Sequence, residues 1–150
     1  MRLRDFIEPA SISLDLGAAT KDDILPELVR LLRIDDRTVE NLCRLLRRRE
    51  ALGSTGVGRG IAIPHCRSLA VSRLRLAFGV HRRGLEYDAI DRRPVYVFFL
   101  IVAPPVEVAN QYLQVLGRIA QFAQLPDVPE RLRQLTSPEQ LFALLDEKGA

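Results

Sequence analysis

The chain has 150 residues, of which 47% are hydrophobic and 27% charged, and its 22 basic and 19 acidic residues leave a net charge of +3. The longest apolar run, VYVFFLIVA at 95–103, falls far short of the ~20 residues that a membrane-spanning helix needs. No secretory signal opens the chain, and two cysteines provide no disulfide framework. We therefore expect a single domain over residues 1–150, located in the cytoplasm without membrane insertion.

The first third of the chain is typical of a strand followed by two helices. The stretch SISLDL at 11–16 alternates apolar and polar residues as a half-buried strand does. Thr20 or Asp22 caps the first helix, and the second begins near Asp35 or Asp36. Their apolar faces consist of Ile24, Leu25, Leu28, Leu31 and Leu32 in the first helix and Val39, Leu42, Cys43 and Leu46 in the second.

The densest basic cluster, Arg47-Arg48-Arg49, closes the second predicted helix. Cations at that position meet the negative end of the helix dipole favourably. No aromatic residues interleave with the cluster, as they do in many nucleic-acid-binding surfaces. The cluster therefore indicates a solvated helix end, and we expect no nucleic-acid partner.

Three strands and about three helices follow. The strands are GIAIPH at 60–65, LRLAFGV at 74–80 and the wholly apolar VYVFFLIV at 95–102, with a loop at 88–94. Helical spacing starts at Val108, and further helices are predicted near 128–135 and at 137–145, the last with a Ser137 cap and Pro138 at its first position. Helices sufficient for both faces of a sheet predict a three-layer α/β/α sandwich, and the helical crossover predicts a mixed sheet.

The segment LGSTGVGRGIAIPH at 52–65 has the features of a phosphohistidine site. A histidine that accepts a phosphoryl group needs one free ring nitrogen, a fixed tautomer and donors around the arriving oxygens. Glycines allow the backbone to approach a phosphate closely, Ser54 and Thr55 offer hydroxyls, and Arg59 offers a cationic fork. Pro64 directs His65 out of its strand in a defined direction.

The residues alone leave other interpretations open. A glycine-rich turn that ends in a partly buried histidine fits the same letters, and a hydrolase using Ser54 with His65 lacks the G-x-S-x-G elbow. His81 is expected at a loop edge, and Cys66 is expected to serve packing. Two histidines and two cysteines without ligand spacing predict no metal site, and no cofactor is implied.

The stretch LGSTGVGRGIAIPHC at 52–66 resembles the active-site signature of the IIA proteins of the bacterial phosphotransferase system, in the fructose/mannitol-type class. Within that class it is most similar to the nitrogen-regulatory IIA proteins. The likeness extends over nearly the whole chain, through LRDFIEP, LLRRREALGSTGVG, AIDRRPVYVFFLIVAP and ERLRQLTSPEQLFALL. It implies an α/β/α fold with a mixed sheet.

The resemblance also implies roles for particular residues. His65 matches the histidine that accepts a phosphoryl group from HPr or an HPr-like phosphocarrier, while Ser54, Thr55, Gly58 and Arg59 match the loop that shapes the phosphate environment. No IIB or IIC segment accompanies the motif in these residues, which favours a free-standing IIA that regulates kinases or transporters.

One position departs from the family pattern. A second histidine usually opens a helix in a sequence such as H-L-x-x-L-x-x-I-A, and here YLQVLGRIA at 112–120 puts Tyr112 in its place. A tyrosine hydroxyl donates a hydrogen bond to a phosphoryl oxygen but carries no positive charge, since its ordinary pKa is ~10. The alternative function is therefore a regulatory binding module of the same fold that does not transfer phosphoryl groups.

Overall fold

The computed structural model describes residues 1–107 and 109–150, and in this part of the chain one strand and two helices are followed by five strands and three helices. The strands are β1 (Ile7–Ser13), β2 (Gly56–Gly58), β3 (Ile61–Ala62), β4 (His65–Arg67), β5 (Arg75–Leu85) and β6 (Val95–Ala103). The helices are α1 (Lys21–Arg30), α2 (Asp36–Ala51), α3 (Gln111–Ala123), α4 (Val128–Arg133) and α5 (Pro138–Glu147), with a 3₁₀-helix at Leu3–Phe6. Val108, where helical spacing starts in the sequence, lies outside the described residues.

The strands form one mixed sheet in the order β1-β5-β6-β3-β2, and β4 also pairs with β6. The β1/β5, β3/β6 and β4/β6 pairs are parallel, whereas β5/β6 and β2/β3 are antiparallel. Strands β3 and β4 therefore lie one after the other along the same side of β6. This arrangement confirms the predicted mixed sheet.

Strand β6 lies between two hydrophobic cores, because its successive side chains point to opposite faces. Phe99 and Ile101 belong to the core that α3, α4 and α5 cover, whereas Phe98 and Leu100 belong to the core that α1 and α2 cover. All four side chains are fully buried. Two cores on either side of one sheet confirm the three-layer α/β/α sandwich. No described helix combines the length and the apolar character that crossing a membrane requires.

Side-chain caps start three of the helices where the sequence predicts them. The Thr20 hydroxyl accepts from the Asp23 N–H at 3.1 Å, the Asp35 carboxylate from the Thr38 N–H at 2.8 Å, and the Ser137 hydroxyl from the Gln140 N–H at 3.3 Å. Each cap satisfies a backbone donor that the first helical turn leaves open. Thr20, rather than Asp22, therefore caps α1.

Three predicted strands differ clearly from the structure in their bounds, and the third, predicted at 74–80, runs over Arg75–Leu85. The first runs over Ile7–Ser13 instead of 11–16, because it is an edge strand in which exposed Pro9 is tolerated. The second, predicted at 60–65, is divided: Ile61–Ala62 closes a hairpin with β2, and His65 begins a new strand. Arg59 and Gly60 form the two-residue turn, both with positive φ, as a tight hairpin requires.

His81 does not lie at a loop edge, as the sequence analysis expects, but inside β5. The strand continues through Leu85, so the side chain is only 7% exposed and its Nε2 lies 2.7 Å from the Ala18 carbonyl oxygen. That contact ties the segment before α1 to the sheet.

Gly56 marks a close approach between β2 and the loop that precedes β6. A Cβ at this position would lie 2.7 Å from the Ala89 Cβ and 2.8 Å from its Cα, and the Gly56 carbonyl accepts from the Ile90 N–H at 3.0 Å.

Gly56→Ala is therefore expected to lower the free energy of unfolding by about 1–3 kcal/mol through overpacking, as urea denaturation measures. Gly117→Ala is the matched control, since nothing lies within 4 Å of that position on α3. It is expected to raise stability by about 1 kcal/mol, and equal effects of both variants would contradict this packing argument.

Candidate functional site

His65 lies at the start of β4, where main-chain contacts from two neighbours fix its backbone. The Ile101 N–H of β6 donates to the Pro64 carbonyl at 3.0 Å, and the Ile63 N–H donates to the Thr55 carbonyl at 2.9 Å. Pro64 is buried and its ring fixes φ. The imidazole consequently leaves the sheet in one direction and remains partly exposed.

Both ring nitrogens of His65 have a partner, and the partners determine the tautomer. Nδ1 lies 2.7 Å from the Ile63 carbonyl oxygen, which can only accept, while the Arg49 Nε–H, which can only donate, lies 3.2 Å from Nε2. Nδ1 therefore carries the proton, and Nε2 presents its lone pair. The nitrogen that faces Arg49 is the nucleophilic one.

The surroundings of His65 keep the ring neutral. Burial is the main cause that lowers its pKa below the ordinary histidine value, and the nearby Arg49 charge lowers it further. The hydrogen bond to Ile63 acts in the opposite direction but does not outweigh burial. A neutral imidazole at pH 7 has the free electron pair that attack on phosphorus requires.

Arg49 reaches the site from the last turn of α2. Its Nη1 donates to the Gly53 carbonyl at 2.8 Å, so the same guanidinium contacts the glycine-rich loop and the histidine. From the sequence, all three arginines are expected at a solvated helix end. In the structure Arg47 and Arg48 are exposed, whereas Arg49 is half-buried. Arg49 follows buried Leu42 and Leu46 with helical spacing, and this periodicity is the signal that distinguishes it from its neighbours.

A buried carboxylate next to Arg49 anchors the loop. The Glu50 side chain is 8% exposed and accepts from the Thr55 N–H at 3.1 Å, from the Thr55 hydroxyl, and from the Tyr87 hydroxyl at 3.1 Å. Lys21 Nζ lies 2.9 Å away and balances the charge. Burial raises the pKa of Tyr87, which keeps its hydroxyl a donor. Thr55, itself 3% exposed, thus points its hydroxyl at Glu50.

The other predicted loop residues divide into two groups. Ser54 lies beside Thr55, where its hydroxyl accepts from the Gly56 N–H at 3.0 Å. Gly58 and Arg59 lie at the far end of the β2–β3 hairpin, and the Arg59 guanidinium donates to the Gln124 carbonyl at 2.6 Å. Gln124 lies at the C-terminal end of α3, whereas His65 contacts Tyr112 in the first turn of that helix. The structure therefore does not bring Gly58 or Arg59 to the histidine.

Tyr112, in the first turn of α3, does reach His65. The ring centroids are 5.9 Å apart, with an edge-to-face angle of 60°. Burial is the main cause that raises the pKa of Tyr112 to about 12, so its hydroxyl stays protonated and neutral. The guanidinium of Arg67 covers the face of the same ring, with its Cζ 4.3 Å from the ring centroid. Three charged residues that contact His65, its loop or Tyr112 are not predicted from the sequence: Arg49, Glu50 and Arg67.

The chain matches the family model described as phosphoenolpyruvate-dependent sugar phosphotransferase system, EIIA 2, over residues 5–148. It belongs to this family. A fructose-specific EIIA component from Haloferax volcanii is 34% identical over 140 residues, covering 91% of this chain and 89% of that protein. A nitrogen regulatory protein from Pseudomonas aeruginosa is 31% identical and covers 97% of this chain and 95% of its own length.

The crystal structure of nitrogen regulatory protein IIA-Ntr from Neisseria meningitidis superposes with a TM-score of 0.85 at 30% identity, covering 94% of this chain and 97% of that one. The chain also matches the fructose-specific EIIABC component of Bacillus subtilis, of which it spans 23%. The EIIA family and nitrogen-regulatory likeness are thus confirmed, and a phosphocarrier or regulatory role follows from them.

The first test of this EIIA site is the titration of its histidine. We expect the His65 ring to titrate below the ordinary value of ~6.5 in an NMR pH titration, with His81→Gln used to assign the second signal. Arg49→Gln is expected to raise the His65 pKa only part of the way, because burial is the larger cause. Since the folded chain binds this proton less readily than the unfolded chain, His65 stabilises the fold above the ordinary pKa, and this contribution is lost as pH falls through the lowered one. Titration of His65 at or above ~6.5 would contradict this description of the site.

Proposed function

We propose that His65 accepts a phosphoryl group from the phosphohistidine of an HPr-like phosphocarrier, and that the phosphorylation state determines which partners the protein regulates. The observation that supports this most strongly is the fixed tautomer: a partly exposed imidazole whose Nε2 lone pair is directed at Arg49. The relatives described as nitrogen regulatory proteins support regulation. We propose kinases or transporters as the regulated partners.

In the proposed step, the Nε2 lone pair of His65 attacks the phosphorus of the donor phosphohistidine. A new N–P bond forms as the donor N–P bond breaks, and the electron pair of the broken bond returns to the donor imidazole. The positive charge that develops on the His65 ring is delocalised over both nitrogens. The Nδ1–H keeps its hydrogen bond to the Ile63 carbonyl oxygen. No co-reactant is consumed, because one phosphohistidine replaces another.

Arg49 has two tasks in this sequence. Before transfer the Arg49 Nε–H donates to the lone pair of His65 Nε2. When the phosphoryl group arrives, the same N–H donates to a phosphoryl oxygen instead. A guanidinium suits the second task because its donors form a planar fork that matches phosphate oxygens. The contact with the Gly53 carbonyl keeps the guanidinium at the site throughout.

The remaining predicted residues differ in the parts they take. The Tyr112 hydroxyl, which stays protonated, donates to the phosphoryl group, and Ser54 contributes its hydroxyl from the loop. Thr55 acts through Glu50 as a positioning residue that holds the loop and, through its carbonyl, Ile63. Gly58 and Arg59 shape the hairpin rather than the phosphate environment.

A second EIIA structure suggests how the phosphoryl group leaves. The mannitol-specific enzyme IIA of Escherichia coli, of the same fold at a TM-score of 0.73, is described in complex with phosphorylated enzyme IIB. By analogy, the partly exposed side of His65 is where a donor or acceptor protein docks in this chain.

The experiment mixes the purified protein with phosphoenolpyruvate, enzyme I and an HPr-like carrier, and follows intact mass. We expect one acid-labile phosphoryl group on the wild type, none on His65→Gln and an unchanged amount on His81→Gln. The second variant is the matched control because its histidine is buried in β5. Circular dichroism verifies that both variants fold.

Two results would contradict the proposal. A label that persists in His65→Gln would show that another residue is the acceptor. A wild type that takes up no label would leave the protein a binding module that regulates its partners without phosphoryl transfer.

A further inference from the structure

Arg67 lies two residues after His65 on β4, so both side chains project from the same face of the strand. Their Cα atoms are about 6.6 Å apart at the usual rise of an extended chain. Both side chains also contact one aromatic ring, since the edge-to-face contact of His65 and the stacked guanidinium of Arg67 are made to Tyr112. The imidazole and the guanidinium therefore share one small region of surface.

Within residues 1–107 and 109–150, the Arg67 guanidinium makes its hydrogen bonds through one nitrogen, Nη1. Its Nη1 donates to the Pro104 carbonyl at 3.0 Å and lies 3.4 Å from Glu107 Oε1. Among the described residues, Nε and Nη2 make no hydrogen bond within ordinary distance. Arginine–carboxylate pairs frequently form two parallel N–H···O hydrogen bonds, whereas Arg67 approaches Glu107 through Nη1 alone.

Glu107 holds this arrangement together. Its side chain is 9% exposed, and the same Oε1 that faces Arg67 accepts from the Tyr112 N–H at 2.8 Å. Its Oε2 is buried and has no partner in the part of the chain that the structure describes. The carboxylate thus fixes the start of α3 and one nitrogen of Arg67, but it does not hold the second edge of the guanidinium.

We propose that Arg67 binds the phosphoryl group on His65 with its free N–H edge, as the second guanidinium of the site beside Arg49. This inference rests on the proposed function. A phosphoryl group carries up to about two negative charges, and the neutral Tyr112 hydroxyl balances none of them. Arg49 at Nε2 and Arg67 on the Tyr112 ring supply cationic N–H donors for the phosphoryl group, with Glu107 as the residue that positions Arg67.

The test measures phosphoryl transfer from the cognate carrier and a ³¹P NMR pH titration of the phosphorylated protein. Arg67→Gln is expected to slow transfer on the order of 100-fold and to raise the pKa of the phosphoryl group, because a neighbouring cation stabilises its dianion. Arg67→Lys keeps the positive charge but lacks the planar guanidinium. Its transfer rate and phosphoryl pKa are expected to lie between those of the wild type and Arg67→Gln. Arg73→Gln is the control, since Arg73 is exposed and pairs with Glu8.

Glu107→Gln separates binding from a merely structural role. The amide oxygen still accepts from the Tyr112 N–H, but the negative charge beside Arg67 is gone. We expect the phosphoryl pKa to fall in this variant, opposite in sign to the rise in Arg67→Gln. If Arg67 served only as the partner of Glu107, Glu107→Gln would slow phosphoryl transfer as much as Arg67→Gln does.

The outcomes distinguish this inference from the function on which it rests. A wild type that is not phosphorylated overturns the proposed function. A phosphorylated wild type whose transfer rate and ³¹P titration are unchanged by Arg67→Gln and Arg67→Lys overturns the role of Arg67 alone.

Discussion

The site depends on the tautomer of His65, which two hydrogen-bond partners fix. The Ile63 carbonyl can only accept and the Arg49 Nε–H can only donate, so the proton of neutral His65 has one place to reside. This constraint leaves the lone pair on Nε2, the nitrogen that attacks phosphorus in the proposed step. Partial burial acts in the same direction, because it disfavours the imidazolium that would lose this lone pair.

The fold supplies each partner from a different element. Pairing of β4 with β6 sets the direction of His65. The last turn of α2 brings the Arg49 guanidinium to the Nε2 side of the imidazole. Glu50 anchors the intervening loop, since hydrogen bonds to a carboxylate that is only 8% exposed are costly to break. The covering of β6 on both faces makes this frame rigid enough to hold an imidazole within hydrogen-bond distance of its partners.

The sequence predicts the architecture well, because hydrophobic periodicity and helix caps are local signals. The wholly apolar β6 and the Ser137 cap illustrate both, and the A-I-P-H element locates His65 at the sheet. The loop is harder, since a glycine-rich stretch looks the same whether it cradles an anion or folds into a hairpin. Arg59-Gly60 lacks the asparagine-glycine pair that marks such a turn most clearly. The sequence therefore predicts Arg59 in the phosphate environment, whereas in the structure its guanidinium donates to the Gln124 carbonyl.

Contacts between distant elements account for what the sequence does not reveal. Arg49 meets His65 across 16 positions, and Arg67 meets Glu107 across 40. Neither pair has a local spacing rule, and an arginine at a helix end has an adequate explanation in the dipole. Only the packing of these elements in the folded chain shows that Arg49 meets His65 and that Arg67 covers the Tyr112 ring beside it.

The most direct measurement is a long-range ¹⁵N–¹H correlation spectrum of the His65 ring at neutral pH, before and after phosphorylation. The account predicts a proton on Nδ1 of the resting ring and a phosphoryl group on Nε2 of the modified one. A resting ring protonated on Nε2, or a phosphoryl group on Nδ1, would contradict it.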